Sequence, residues 1–154
     1  MIARRFPHRH LLESVRLERW QRRAIYFVTA LLVASGALWL VPHYFLRSDG
    51  AFGATINPLE PAAMKLHGAV AMLALALYGS LINAHIRKAW RLRRNRVSGS
   101  VVLAIVLLLT ASAWVLYYAG DETVRTVGSA LHWSVGLVLV AALPIHLWFG
   151  RRSR

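Results

Sequence analysis

The chain has 154 residues, of which 57% are hydrophobic and 16% are charged. A soluble domain is about 45–50% apolar and about 25% charged, so this composition, collected in four long apolar runs, predicts an integral membrane protein. There is no cysteine, which excludes disulfides, iron–sulfur clusters and covalent haem attachment through a C-x-x-C-H motif.

The net charge of +13 comes from basic residues that lie outside the apolar runs. Sixteen of the 19 Lys and Arg residues precede the first run, separate the second from the third or follow the fourth, and only Arg47, Lys65 and Arg125 lie on the other side. This positive-inside distribution predicts that both termini are cytoplasmic. Anionic lipid headgroups account for the basic charge, and we expect no nucleic-acid partner.

The runs predict an all-α membrane protein, a bundle of four transmembrane helices in up-down-up-down order. Residues 1–23 form a basic N-terminal segment that could lie on the membrane surface as an amphipathic helix. The membrane domain is expected over residues 24–150, with spans at about 24–42, 61–88, 99–119 and 127–149, followed by a basic tail at 151–154.

Local residues suggest where these helices begin. Pro61 suits the first position of the second helix, and Ser98 is a candidate N-cap for the third. Residues 43–60 are expected to form an irregular external loop. No internal repeat is predicted.

The last span carries two histidines, His132 and His146, 14 residues apart. This spacing falls only ~40° short of four turns, so both side chains leave one face of the helix, ~21 Å apart along its axis. Ionisable side chains within a membrane span predict a functional site.

The second span carries a matching pair, His67 and His85, 18 residues apart. Because this spacing is five whole turns, these two histidines also share one face. The topology places His67 at the outer depth of His132 and His85 at the inner depth of His146. Eighteen residues span ~27 Å rather than ~21 Å, so helix tilt or a bend at Pro144 is expected to absorb the difference.

Two neutral imidazoles on facing helices at one depth are what bis-histidine ligation of a haem requires. The sequence therefore predicts an outer haem between His67 and His132 and an inner haem between His85 and His146. Small residues leave room for a flat macrocycle: Gly136 lies one turn after His132, and Ala71 and Ala74 follow His67. Two haems b are expected, and one haem is the alternative count.

The segments LHGAVAM and ALHWSVGLVLVAALPIHLWF resemble the haem-binding helices of bacterial membrane cytochromes b. This superfamily contains cytochrome b561 and the cytochrome b (gamma) subunits of formate dehydrogenase and nickel–iron hydrogenase, and the resemblance covers roughly residues 20–150. In the formate dehydrogenase type the second inner ligand comes from the first helix, where this chain has only Tyr26. The resemblance then implies that His85 replaces that ligand.

The resemblance also implies an activity: an electron-transfer subunit, part of a quinone-linked oxidoreductase in the bacterial inner membrane. It would carry electrons between the quinone pool and a redox partner, either a periplasmic cytochrome c or a dehydrogenase subunit. Its direct neighbours would be membrane lipid and a quinone or quinol. Nothing in the spacing singles out a quinone site; polar and aromatic candidates are Tyr26, Tyr78 and Trp148.

Two other classes of function stay open. In a non-redox membrane scaffold or assembly subunit, the histidines would form interhelical hydrogen bonds. A small transporter or a zinc or copper site is disfavoured because no Asp or Glu lies within a span and each level offers only two imidazoles. Of the remaining histidines, His8 and His10 are expected to be solvated and His43 to lie at the external interface.

Overall fold

The computed structural model describes residues 17–51 and 53–152. Four long helices confirm the predicted all-α bundle, and all four are long and apolar enough to cross a membrane. The elements are α1 (Arg19–Phe45), β1 (Asp49–Gly50), β2 (Gly53–Ala54), α2 (Leu59–Leu81), a π-helical turn (Ile82–Ile86), α3 (Arg87–Arg91), α4 (Arg96–Tyr118) and α5 (Glu122–Arg152). Residues 1–16 are not among the described residues. Most of the predicted surface helix, with His8 and His10, therefore lies outside the part of the chain that the structure describes.

The helices begin earlier and end later than most of the predicted spans. α1 begins at a capping box in which Glu18 and Gln21 bond reciprocally to backbone groups. α5 begins after Asp121, whose carboxylate accepts the Val124 N–H at 2.9 Å and so caps the helix. Ser98 was the wrong N-cap for α4, because Asn95 occupies that position and Ser98 lies in the first turn.

The loop between α1 and α2 contains a short antiparallel ribbon that the sequence did not predict. Asp49 pairs with Ala54, and Gly50 pairs with Gly53. Gly53 has a φ of +105°, a conformation that glycine adopts without the penalty a Cβ would add. Two residues per strand carry no hydrophobic alternation, so the ribbon was invisible to pattern analysis.

The bundle consists of two antiparallel hairpins. α1 packs along α2 and α4 packs along α5, while contacts between the hairpins are sparse. Within the first hairpin, Val28 of α1 packs against Val70 and Ala74 of α2. Ala74 therefore lies in the α1–α2 interface rather than on a face open to a macrocycle, and its predicted role is wrong.

Contacts between helix ends show which ends of the helices lie together. The start of α2 meets the end of α1 through Glu60 and His43, and the start of α4 meets the end of α5 through Ser98 and His146. The first turn of α1, the α3 segment and the last turn of α5 therefore share one end of the molecule, which we call the basic end because of its arginines and lysine. Large apolar side chains such as Phe27, Met72 and Val97 are exposed along the helices. In a chain with four spans this surface contacts lipid, so the protein is a multi-pass membrane protein.

Short segments of the two hairpins are alike at equivalent positions, although the sequence predicted no internal repeat. Residues 31–36 of α1 have the sequence LLVASG and residues 108–113 of α4 have LLTASA, while α2 has LHGAVA where α5 has LHWSVG. The four buried positions of the second hairpin each align with a buried position of the first: Val28 with Ile105, Ser35 with Ser112, Ala63 with Gly128, and Ala74 with Leu139. The first hairpin has further buried residues without a buried counterpart.

Candidate functional site

The four predicted ligands form two facing pairs between the hairpins. The ring centroids of His67 and His132 are 6.2 Å apart, with the ring planes at 83°. The ring centroids of His85 and His146 are 6.5 Å apart, with the planes at 88°. The structure therefore brings together the residues that the sequence paired by depth and face, one histidine from each hairpin at each level.

These separations can be compared with those of two kinds of contact between imidazoles. A hydrogen bond of ~2.9 Å between two ring nitrogens would bring the centroids to ~5.1 Å, since each nitrogen is ~1.1 Å from its centroid. Two imidazoles bound to opposite sides of one first-row metal ion, at ~2.0–2.1 Å each, have centroids ~6.2–6.4 Å apart. The outer pair, at 6.2 Å, falls within the second range, and the inner pair, at 6.5 Å, is about 0.1 Å beyond it.

Serine hydroxyls form hydrogen bonds to Nδ1 of the outer histidines. Ser35 Oγ lies 2.9 Å from His67 Nδ1, and Ser112 Oγ lies 2.9 Å from His132 Nδ1. Each hydroxyl donates its single proton to the backbone carbonyl three residues earlier, at 3.1 Å. The serine oxygen must then accept the Nδ1–H of the imidazole, which fixes the tautomer and leaves the Nε2 lone pair available to a metal.

The inner level repeats this arrangement on α4. Ser98 Oγ lies 3.0 Å from His146 Nδ1 and donates to the Asn95 carbonyl at 3.4 Å. A glycine follows the serine here and in α1. A Cβ at Gly36 would lie 3.5 Å from His67 Cε1, and a Cβ at Gly99 would lie 3.7 Å from His146 Cε1.

The Ser-Gly dipeptides are the functional feature that sequence reasoning missed. Ser35-Gly36 and Ser98-Gly99 lie on helices that carry no histidine ligand, and Ser98 was predicted only as an N-cap, so neither dipeptide had a predicted role at the site. Because metal-binding imidazoles depend on a partner at the second nitrogen, a search for Ser near the depth of each histidine would have found them.

His85 lies in the π-helical turn of residues 82–86, in which the Arg87 N–H bonds to the Ile82 carbonyl five residues earlier. A π turn is wider than an α turn and advances less per residue, so it reduces the excess axial distance between His67 and His85. Tilt or a bend at Pro144 was expected to supply this correction. Pro144 does lie within α5, but the irregularity that carries the ligand is in α2.

Open space lies next to Gly136, where the sequence predicted packing against a macrocycle. A Cβ built on Gly136 would meet no atom within 4 Å among the described residues. Gly136 is one helical turn from His132 and is partly buried. The open volume agrees with its predicted role, which stays a prediction.

Trp133 supplies an independent test of whether a cofactor fits between the hairpins. Its Nε1 is the one side-chain nitrogen or oxygen that is buried without a hydrogen-bond partner in the described part of the chain. An unsatisfied buried donor costs about 1–3 kcal/mol. The residue follows His132, and its ring contacts Tyr44 of the other hairpin at a centroid distance of 6.4 Å. An acceptor on a bound group would satisfy this N–H, and a haem carboxylate is such an acceptor.

The quinone candidates differ in their surroundings. The hydroxyl of Tyr78 lies 2.7 Å from Thr29 Oγ1 across the α1–α2 interface, so it already has a partner inside the first hairpin. Trp148 stacks beneath the Arg152 guanidinium at 3.8 Å. Tyr26 is exposed on the lipid side of α1. The three residues do not converge on one site.

The external end is held by a charge network around Glu60, which is 4% exposed. Its carboxylate accepts hydrogen bonds from Arg47 Nε at 2.9 Å and from the Asn57 N–H at 3.2 Å, and it lies 3.0 Å from His43 Nδ1. The hydrogen bond to Glu60 raises the pKa of Arg47 above its ordinary value. His43 stacks on Trp39 at 4.3 Å. These contacts tie the α1–α2 loop to both helices.

Groups of three or more His, Cys, Asp or Glu side chains that could hold a bare metal ion do not occur in residues 17–51 and 53–152. Each level instead presents two imidazoles. No family model matches the chain, and neither the curated proteins nor the solved structures compared with it gave a match. The resemblance to membrane cytochromes b therefore rests on the motifs quoted above.

Proposed function

We propose that this protein is a di-haem b-type membrane cytochrome that carries electrons across the bilayer. The observation that supports this most strongly is the geometry of the imidazole pairs. At two depths, rings from opposite hairpins face each other at the separation of two axial ligands, and serines engage Nδ1 at three of the four rings.

The residues have separate tasks in this proposal. His67 and His132 would hold the outer haem iron, and His85 and His146 would hold the inner one. When bound, haem supplies one-electron redox chemistry. The serines orient the rings and keep them neutral at Nε2, and the apolar hairpins exclude water and keep the dielectric low around the slot.

The two levels make transfer across the membrane possible. The histidines of α5 are ~21 Å apart along the axis, which brings one redox centre near each side of the hydrocarbon. The proposal extends to a quinone pool and to a partner, either a periplasmic cytochrome c or a dehydrogenase subunit. It also extends to an inner-membrane location with the basic end in the cytoplasm.

A reduced-minus-oxidised absorption spectrum of the purified full chain, produced with ample haem supply, tests this function. Bands of low-spin, bis-imidazole haem b are expected. Replacing His132 with Gln should remove the outer component and leave the inner one. A folded, monodisperse protein without these bands would overturn the proposal.

A second candidate, a non-redox scaffold subunit, is favoured by one observation. The Ser–His hydrogen bonds join α1 to α2 and α4 to α5, as interhelical bonds in such a protein would. These bonds lie within hairpins, however, and leave the pairing of the histidine rings between the hairpins unexplained. The scaffold predicts unchanged thermal stability when haem is withheld during production, whereas the cytochrome predicts a large loss of stability.

A further inference from the structure

A polar recess lies on the outer surface of the bundle where α2 leaves the apolar region. Its volume is about 500 Å³, and it is lined by Asn83, Ala84, Arg87, Lys88 and Arg91. The spacings of four residues place these side chains in two adjacent rows on one face of the helix. The small Ala84 forms the floor between longer polar side chains.

This face points away from the histidine slot. Asn83 and Arg87 are each two residues from His85, and residues two apart lie on roughly opposite sides of a helix. Asn83, Ala84, Arg87 and Arg91 are exposed, whereas His85 and Ile86 are partly buried. The arginines therefore face the surroundings of the bundle rather than a haem between the hairpins.

The recess is arranged to receive an anion. Arg87 Nη1 donates to Asn83 Oδ1 at 3.0 Å, which orients the guanidinium along the helix and leaves its other N–H groups available. Within the described part of the chain, no ion pair involves Arg87 or Arg91. Among the described residues, Glu18 is the carboxylate at the basic end. It accepts a hydrogen bond from the Trp20 indole at 2.6 Å and takes part in the capping box of α1.

The depth of the recess indicates the source of the anion. The apolar surface of α2 continues to Ile82, which is 51% exposed to lipid, and the first arginine follows one turn later. Headgroup phosphates lie at this boundary, and Arg binds phosphate oxygens with two parallel hydrogen bonds. We propose that the recess is a binding site for the phosphodiester headgroup of an anionic glycerophospholipid. The site is independent of haem.

Native mass spectrometry of the full chain, with equal amounts of phosphatidylglycerol and phosphatidylcholine in the detergent, tests the proposal. Arg87→Gln with Arg91→Gln should weaken retention of phosphatidylglycerol about thirtyfold, which is ~2 kcal/mol at ~1.4 kcal/mol per tenfold. The matched control, Arg93→Gln with Arg94→Gln, removes the same charge from the adjacent turn outside the recess and should retain the lipid. Arg91→Lys, which keeps the charge but loses the planar fork, should retain part of the binding.

Three results would overturn the proposal. Equal losses in the two double variants would show diffuse attraction to charge rather than a site. Equal retention of phosphatidylcholine and phosphatidylglycerol would show that the anion is not recognised. Displacement of the lipid by millimolar inorganic phosphate would show a site for a soluble anion. If the double variant does not fold, the single change Arg91→Gln, compared with Arg94→Gln, makes the same comparison.

Discussion

At the scale of single residues, the serines decide which imidazole nitrogen is available. Ser35 and Ser112 each accept a hydrogen bond from a histidine Nδ1–H because their own hydroxyl proton is donated to a backbone carbonyl. This arrangement could not be read from the histidine spacing, since the serines lie on the partner helices. A search for Ser at the depth of each histidine would have found the residues, but pairing them with a histidine required knowing that α1 packs along α2 and α4 along α5.

Replacing Ser112 with Ala should weaken haem binding at the outer level by about 10–100-fold, because the loss of a ligand's second hydrogen bond has this effect at metal sites. Haem titration of the apoprotein measures it. Ser134→Ala is the matched control, since the Ser134 hydroxyl bonds only to the Ala130 carbonyl of its own helix. Equal affinities for the two variants would contradict the positioning role.

Gly136 allows a steric test of the same level. Gly136→Leu should exclude the outer haem and leave the inner one, because the added side chain would project into the open space beside His132. The heme content of the purified variant is the measurement. Gly79→Leu, at an exposed glycine of α2 that also has open space, is the control and should keep both haems.

At the scale of elements, the α2 irregularity separates what was predictable from what was not. The helices, their order and the two histidine levels followed from hydropathy and from whole-turn spacings. The π turn did not, because a one-turn change of backbone hydrogen bonding leaves no trace in hydropathy. The ~6 Å mismatch between the 18-residue and 14-residue spacings was its only sign, and tilt explained that mismatch equally well.

Inserting one alanine after Ser80 should selectively disturb the inner level. An extra residue in the α-helical part of α2 changes the phase of His85 relative to His67 by ~100° and its depth by ~1.5 Å, so His85 would no longer face His146. The variant should lose the inner haem, as His85→Gln would, while the outer haem remains. Retention of both haems, seen in a redox titration with two components, would show that the phase of His85 on α2 is not needed to position the ligand.

At the scale of the whole molecule, the protein is two helical hairpins with paired histidines between them. The likeness of LLVASG to LLTASA is short, and α2 and α5 differ in the spacing of their histidines, which is why the sequence predicted no repeat. The arrangement has a physical consequence. In the proposed cytochrome, a haem between the hairpins would receive one ligand from each hairpin.

The orientation of the bundle follows from charge and can be tested directly, since the chain has no cysteine. Ser48→Cys, in the α1–α2 loop, should react with a membrane-impermeant maleimide in intact cells. Arg94→Cys, at the basic end, should react only after permeabilisation. The opposite pattern would contradict the positive-inside assignment.

The central claim is that two histidine pairs hold two haems, and the haem-to-chain ratio tests it most directly. A pyridine haemochrome assay combined with quantitative amino-acid analysis should give about two haems b per chain for the wild type. It should give about one for His132→Gln and about one for His146→Gln. A ratio near zero in folded protein made with ample haem would contradict the account. A ratio near one would contradict the two-haem count, and the two variants would show which pair holds the haem.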